Sequence, residues 1–133
     1  MPTKDHGTNN TNISVLIVAK SDRSRHSLKF LLEINSKIKV IGQASKSLLA
    51  TQLVRQHRPA LMILDTNLPP SGAWVTLLKQ VKAESPQTRC LVLTGPTHEV
   101  QVPNADAVLI KGFLLATLFA TIEKMFPDKM RML

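Results

Sequence analysis

A chain of 133 residues with 44% apolar residues and few aromatics fits one domain with a real hydrophobic core. No apolar run approaches the ~20 residues that span a bilayer, residues 1–7 lack the apolar core of a signal peptide, and a lone Cys90 excludes a disulfide framework. A cytoplasmic location and no membrane partner are therefore expected. The formal charge of +8 suits nucleic acid, an anionic surface or an acidic protein. The basic residues are scattered, with few aromatics between them, so a solvated basic surface is expected rather than a nucleic-acid interface.

Residues 1–12 are polar and rich in Asn and Thr, which predicts a disordered leader before a single domain over 13–133. Ile13-Ser14-Val15-Leu16-Ile17-Val18 is β-branched and predicts a first, central strand. Asp22 or Ser24 is positioned to cap a helix carrying Leu28, Leu31, Leu32 and Asn35 along one stripe. Ile38–Gly42 predicts a short strand whose Lys39 suits an edge. A second helix is expected from Ser45 or Ser47, with Leu49, Leu53 and Val54 inward, ending near Pro59.

Leu61-Met62-Ile63-Leu64-Asp65 follows, an unbroken apolar run that ends on a carboxylate. Such a run marks a strand buried on both faces, as in a parallel sheet. After the turn residues Asn67, Pro69, Pro70, Ser71 and Gly72, the spacing of Trp74, Leu77, Leu78 and Val81 predicts one helical face, stopped by Pro86. Arg89–Leu93 predicts a buried strand before Thr94, and Ala107–Ile110 another before Lys111-Gly112. Leu115, Leu118, Phe119, Ile122 and Phe126 form the stripe of a final helix. Strands alternating with helices imply a doubly wound parallel sheet.

Asp65, Thr94 and Lys111 then occupy equivalent places, each just past a strand, where ligand crevices of open α/β sheets lie. Each alone is an ordinary polar residue leaving a strand. Together they suit an aspartyl phosphate, with Asp65 as nucleophile, Lys111 pairing with phosphoryl oxygens and Thr94 hydrogen-bonding to them.

The order strand-Asp-x-Asn-x-Pro, strand-Thr, strand-Lys-Gly resembles the CheY-like receiver domain of two-component response regulators, over roughly residues 13–126. The resemblance implies a flavodoxin-like (βα)5 sheet of strand order 2-1-3-4-5. It also implies that Asp65 takes a phosphoryl group from a histidine kinase with Mg²⁺ as cofactor. By the same likeness Asn67 offers its carbonyl to the metal, Thr94 is the switch hydroxyl and Lys111 contacts the phosphate.

Departures accompany the match. The acidic pair that holds the metal in the family is replaced by Ala19 and Lys20, and Asp22 lies two positions late. A hard cation needs carboxylate oxygens, so no bound metal is expected. Lys20, Lys111 or both are expected to pair with Asp65. Val108 stands where the family carries its aromatic switch residue. The span 95–110 is short and holds Pro96 and Pro103, so the fourth helix is expected to be shortened or missing.

The leading reading is a degenerate receiver without enzymatic activity, serving as a protein-interaction module for a histidine kinase, an output protein or a second copy of itself. An active phosphoacceptor using Asp65 is the alternative, and a nucleic-acid-associated regulator is a more distant one.

Overall fold

A computed structural model describes residues 12–96 and 102–130 of the chain. Its strands are β1 (Ile13–Val18), β2 (Ile38–Ala44), β3 (Leu61–Asp65), β4 (Arg89–Thr94) and β5 (Ala107–Ile110). Its helices are α1 (Asp22–Leu32), α2 (Ser47–His57), α3 (Ala73–Glu84), α4 (Leu115–Met125) and the short α5 (Pro127–Met130). The strands form one parallel sheet of order β2-β1-β3-β4-β5. This is the flavodoxin-like arrangement, with β1, β3 and β4 inside and β2 and β5 at the edges.

Strand alternation divides the core into two layers. Ile13, Val15, Ile17, Leu61, Ile63, Leu91 and Leu93 pack with Leu32 of α1 and with Leu118, Ile122 and Met125 of α4. Leu16, Val18, Met62, Leu64, Cys90 and Val92 face the other way, onto Ala50 and Val54 of α2 and Leu77, Leu78 and Val81 of α3. Each fully buried Leu or Ile contributes about 1.5–3 kcal/mol through area removed from water. The apolar runs of β1, β3 and β4 follow directly, because both faces of those strands are covered.

Local signals place the helix ends less well. Ser21 caps α1, its hydroxyl accepting from the Ser24 N–H at 3.2 Å, so neither Asp22 nor Ser24 is the cap. Leu31 lies on the outer side of α1 with Phe30, and Leu49 lies on the outer side of α2 with Leu48, rather than in the core. In α2 the inward positions belong to Ala50, Thr51 and Val54, with Leu53 partly buried. Strand β2 continues to Ala44 and carries a bulge opposite Val15 and Leu16, where Ile41 is the extra residue. Phe126 closes α4 as its cap rather than riding its stripe, and α5 was not signalled by periodicity.

No helix joins β4 to β5 among the described residues; residues 97–101, like the leader at 1–11, lie outside them. The connection is tied down by one carboxylate. Asp106 accepts from the Cys90 N–H at 2.7 Å and from Lys82 Nζ at 2.6 Å, and its own N–H donates to the Cys90 carbonyl at 2.9 Å. Val102 and Ala105 then cover part of the sheet face that holds Val108. Coverage is incomplete: β5 is only half-buried, and Ile110 is 43% exposed.

Cys90 sits beneath this network with no exposure. Burial, with Asp106 nearby adding to it against Lys82, pushes its thiol from the ordinary 9.0 up to about 12. A raised folded value means that the stabilisation is present below pH 9.0 and lost as pH climbs toward 12. At pH 9.0 the native thiol is therefore expected to resist a thiolate-directed reagent that labels the urea-unfolded chain readily. Equal labelling rates in the two states would contradict this burial.

Candidate functional site

The site grows from how three strands end. β3 runs out at Asp65, which is paired in register with Leu93, and Thr94 is paired with Ile110, the residue before Lys111. Each polar residue thus stands one step past the apolar rows. The chain turns immediately after each one. The Asn67 N–H donates to Asp65 Oδ1 at 2.8 Å, an Asx-turn that fixes the carboxylate. Gly112 turns the chain after Lys111 with φ of 97°, a conformation that side-chain-bearing residues rarely adopt. Gly72, with φ of 84°, does the same at the start of α3.

Asp65 and Lys111 meet. Lys111 Nζ lies 2.6 Å from Asp65 Oδ1, with the carboxylate 16% and the ammonium 35% exposed. The Lys111 N–H donates to the Thr94 carbonyl at 2.8 Å, which locks β5 to β4 at this end. The Thr94 side chain is buried. Thr94 is a neighbour in the sheet but does not line the cavity of about 310 Å³ that opens beside the ion pair. That cavity is bounded by Ala19, Ser24, Asp65, Lys111 and Gly112, and its deeper walls are Ile17, Leu28, Leu31, Leu93 and Phe113. It is mostly apolar.

At the end of β1, Ala19 is buried and Lys20 is exposed; Lys20 makes no ion pair among the described residues. Of the two lysines expected at Asp65, Lys111 alone makes the contact. The end of β1 is held instead by Arg25, which the motif comparison passes over. Its guanidinium donates to the Ala19 carbonyl at 2.5 Å and to the Lys20 carbonyl at 3.1 Å, and pairs with Asp22 one turn back. Arg25 is buried although charged, and its Nε has no hydrogen-bond partner among the described residues. A sequence signal did exist: an Asp and an Arg three apart in the first turn of a helix. Spacing alone does not say that such an arginine folds inward.

This donor set does not fit the Mg²⁺ that the resemblance implies. A hard divalent cation takes several oxygen ligands, and Ala19 and Lys20 offer a methyl and an ammonium. The two backbone carbonyls there are occupied by a guanidinium, and both nearby carboxylates are paired with cations, Asp22 with Arg25 and Asp65 with Lys111. No group of three or more His, Cys, Asp or Glu side chains is placed to hold a metal among the described residues.

Comparison with known proteins follows the same lines. The family model for the response regulator receiver domain matches residues 15–123. The Fimbriae Z protein of Salmonella typhimurium is 32% identical over 101 residues, covering 76% of this chain and 48% of that protein. The chain thus spans about half the length of this curated relative. Among solved structures, the receiver domain of NarL from Mycobacterium tuberculosis superposes with a TM-score of 0.76 at 18% identity, covering 88% of this chain and 98% of that one. The response regulator domain of CheB from Thermotoga maritima gives 0.71 at 21% identity, covering 90% and 96%. At these identities the structural matches speak for the fold alone.

The ion pair generates a stability prediction. Asp65→Ala removes the acceptor for both Lys111 Nζ and the Asn67 N–H, and is expected to cost about 1–2 kcal/mol in urea unfolding at neutral pH. A double-mutant cycle with Lys111→Ala is expected to show a coupling of about 0.5–1 kcal/mol that shrinks in about 1 M salt. Wild-type stability in Asp65→Ala would mean that the contact does nothing for the fold.

Proposed function

The chain belongs to the response regulator receiver family of two-component signalling, and from that premise we propose that it works as a phosphorylation-independent interaction module. In this reading Asp65 occupies the phosphoacceptor position, Lys111 the phosphate-contacting position and Thr94 the switch position. Ala19, Lys20 and Asn67 are what remains of the metal site. The observation that carries the reading is Arg25, seated on the Ala19 and Lys20 carbonyls where the family holds a cation. Phosphoryl transfer concentrates negative charge on the transferred group, and metal charge neutralises much of it. With the two carbonyls and Asp22 taken up by Arg25 and Asp65 paired with Lys111, the end of β1 offers a metal no free carboxylate among the described residues, and Arg25 itself does not line the Asp65 cavity.

One observation favours a second reading, an active phosphoacceptor. Lys111 Nζ at 2.6 Å from Asp65 is placed to follow the carboxylate's oxygens if they became phosphoryl oxygens. Incubation with acetyl phosphate and Mg²⁺, read by intact mass, separates the two. No phosphoryl adduct is expected. A gain of one phosphoryl group that disappears in Asp65→Asn would put the second reading first. Ala19→Asp with Lys20→Asp, combined with Arg25→Ala to clear the guanidinium, is expected to create Mg²⁺ binding measurable by calorimetry.

Receiver domains work through contacts with kinases and output domains. Here the reading places a contact at β5, the open sheet edge, and its apolar neighbours. Ile110 is 43% and Leu114 is 73% exposed, next to backbone that has no further strand to pair with among the described residues. A second copy of the chain is the proposed occupant. Sedimentation at tens of micromolar is expected to show a dimer that Leu114→Glu dissociates; a monomer indifferent to that substitution would remove this surface from the proposal.

A further inference from the structure

The opposite end of the sheet carries a feature that the receiver reading leaves unused. Where the strands begin, a cavity of about 580 Å³ is lined by Asn12, Ser14, Lys39, Ile41, Arg58, Ala60, Gln87, Arg89, Phe126 and Lys129. Four cations converge on it from four separate parts of the chain: Lys39 from β2, Arg58 from the end of α2, Arg89 from the start of β4 and Lys129 from α5. No carboxylate lines it among the described residues. Among the described residues none of the four has a carboxylate partner. Glu84 is taken up by Arg55 through contacts of 2.6 and 2.9 Å, and Arg58 donates to the Glu84 backbone carbonyl at 3.4 Å.

The placement is built rather than incidental. Arg58 sits at φ of 44°, in the left-handed region, held there by its N–H on the Val54 carbonyl at 2.8 Å. Arg89 lies 5.6 Å from the centroid of the Phe126 ring, a cation–π contact that fixes its guanidinium at the cavity wall. The β2 bulge puts Ile41 at the lining. The Ser14 hydroxyl oxygen accepts from the Ala60 N–H at 2.9 Å, which leaves its hydrogen as a donor. Like charges gathered without counter-charge repel one another, and a multiply charged anion relieves that repulsion.

We infer that this cavity binds an organic polyphosphate of nucleotide size, a nucleoside di- or triphosphate. The two arginines supply forked donors that match phosphate oxygens, and the two lysines add point charge. Ile41, Ala60 and Phe126 give one part of the wall an apolar character suited to a planar base, and Asn12, Ser14 and Gln87 add polar groups beside it. The volume falls within the range of pre-formed small-molecule sites, about 300–1,000 Å³, and far exceeds what a single phosphate fills. The site is separate from Asp65 and does not rest on the reading proposed for that end.

Titration of the full, isotopically labelled chain with ATP, ADP, orthophosphate and a short duplex DNA, followed by amide NMR shifts, tests the assignment. ATP and ADP are expected to saturate below millimolar concentration, with shifts centred on Lys39, Arg58, Gln87, Arg89 and Lys129. Lys39→Gln with Lys129→Gln, two side chains without a structural partner, is expected to weaken ATP binding at least tenfold while Asp65→Asn leaves it unchanged. Four results would overturn the inference: no saturation, shifts centred elsewhere, orthophosphate binding as tightly as ATP, or duplex DNA outcompeting ATP. The wild-type shift map carries the test even where a variant folds poorly.

Discussion

In a parallel sheet covered on both faces by helices, every inward position along the central strands must be apolar, so charge has only the strand ends to occupy. β1, β3 and β4 obey this closely: from Val15 to Val18, Leu61 to Leu64 and Cys90 to Leu93 their side chains are buried. Buried charge without a partner is costly. The polar groups therefore gather at the two ends of the sheet, and the two ends have opposite character. The carboxyl ends hold a neutralised pair, Asp65 with Lys111. The amino ends hold four cations with no carboxylate among them in the described residues.

At the carboxyl end the backbone around Asp65 and Lys111 is held by local turns. The turn after Asp65, the Asx contact from Asn67 and the Gly112 turn after Lys111 are all in place. What differs is the end of β1, where Arg25 folds back onto two carbonyls and takes Asp22 with it. The burial of that guanidinium is tolerated because several of its hydrogens find oxygen acceptors. A cation supplied by the chain itself is permanent.

Fixed contacts also hold the chain where it enters β5. With no helix there among the described residues, Asp106 holds the connection by three contacts, to the Cys90 N–H, the Cys90 carbonyl and Lys82. Those contacts keep β5 in register but cover it thinly, which leaves Ile110 and Leu114 accessible at the sheet edge. A surface left open beside a rigid core can bind a partner without a conformational change being needed to expose it.

Much of this was legible in the residues alone. Apolar runs, helical stripes and the positions of Asp65, Thr94 and Lys111 determined the strand sequence, the fold and which side chains share an end, because burial on two faces is written in every residue of a strand. The family motif likewise located the missing acidic pair at Ala19 and Lys20. Periodicity could not assign Leu31 and Leu49, since helices with apolar residues on more than one face do not say which stripe is buried. Nor could it foresee Arg25 turning inward, for an arginine's long side chain reaches several partners and only the packed neighbourhood selects one. The four cations at the amino ends were visible only as scattered charge; residues 39, 58, 89 and 129 are far apart in the chain and become one site because the parallel sheet brings their elements to a common end. Sequence decides what each element must bury, and tertiary structure decides which exposed and polar groups end up facing one another.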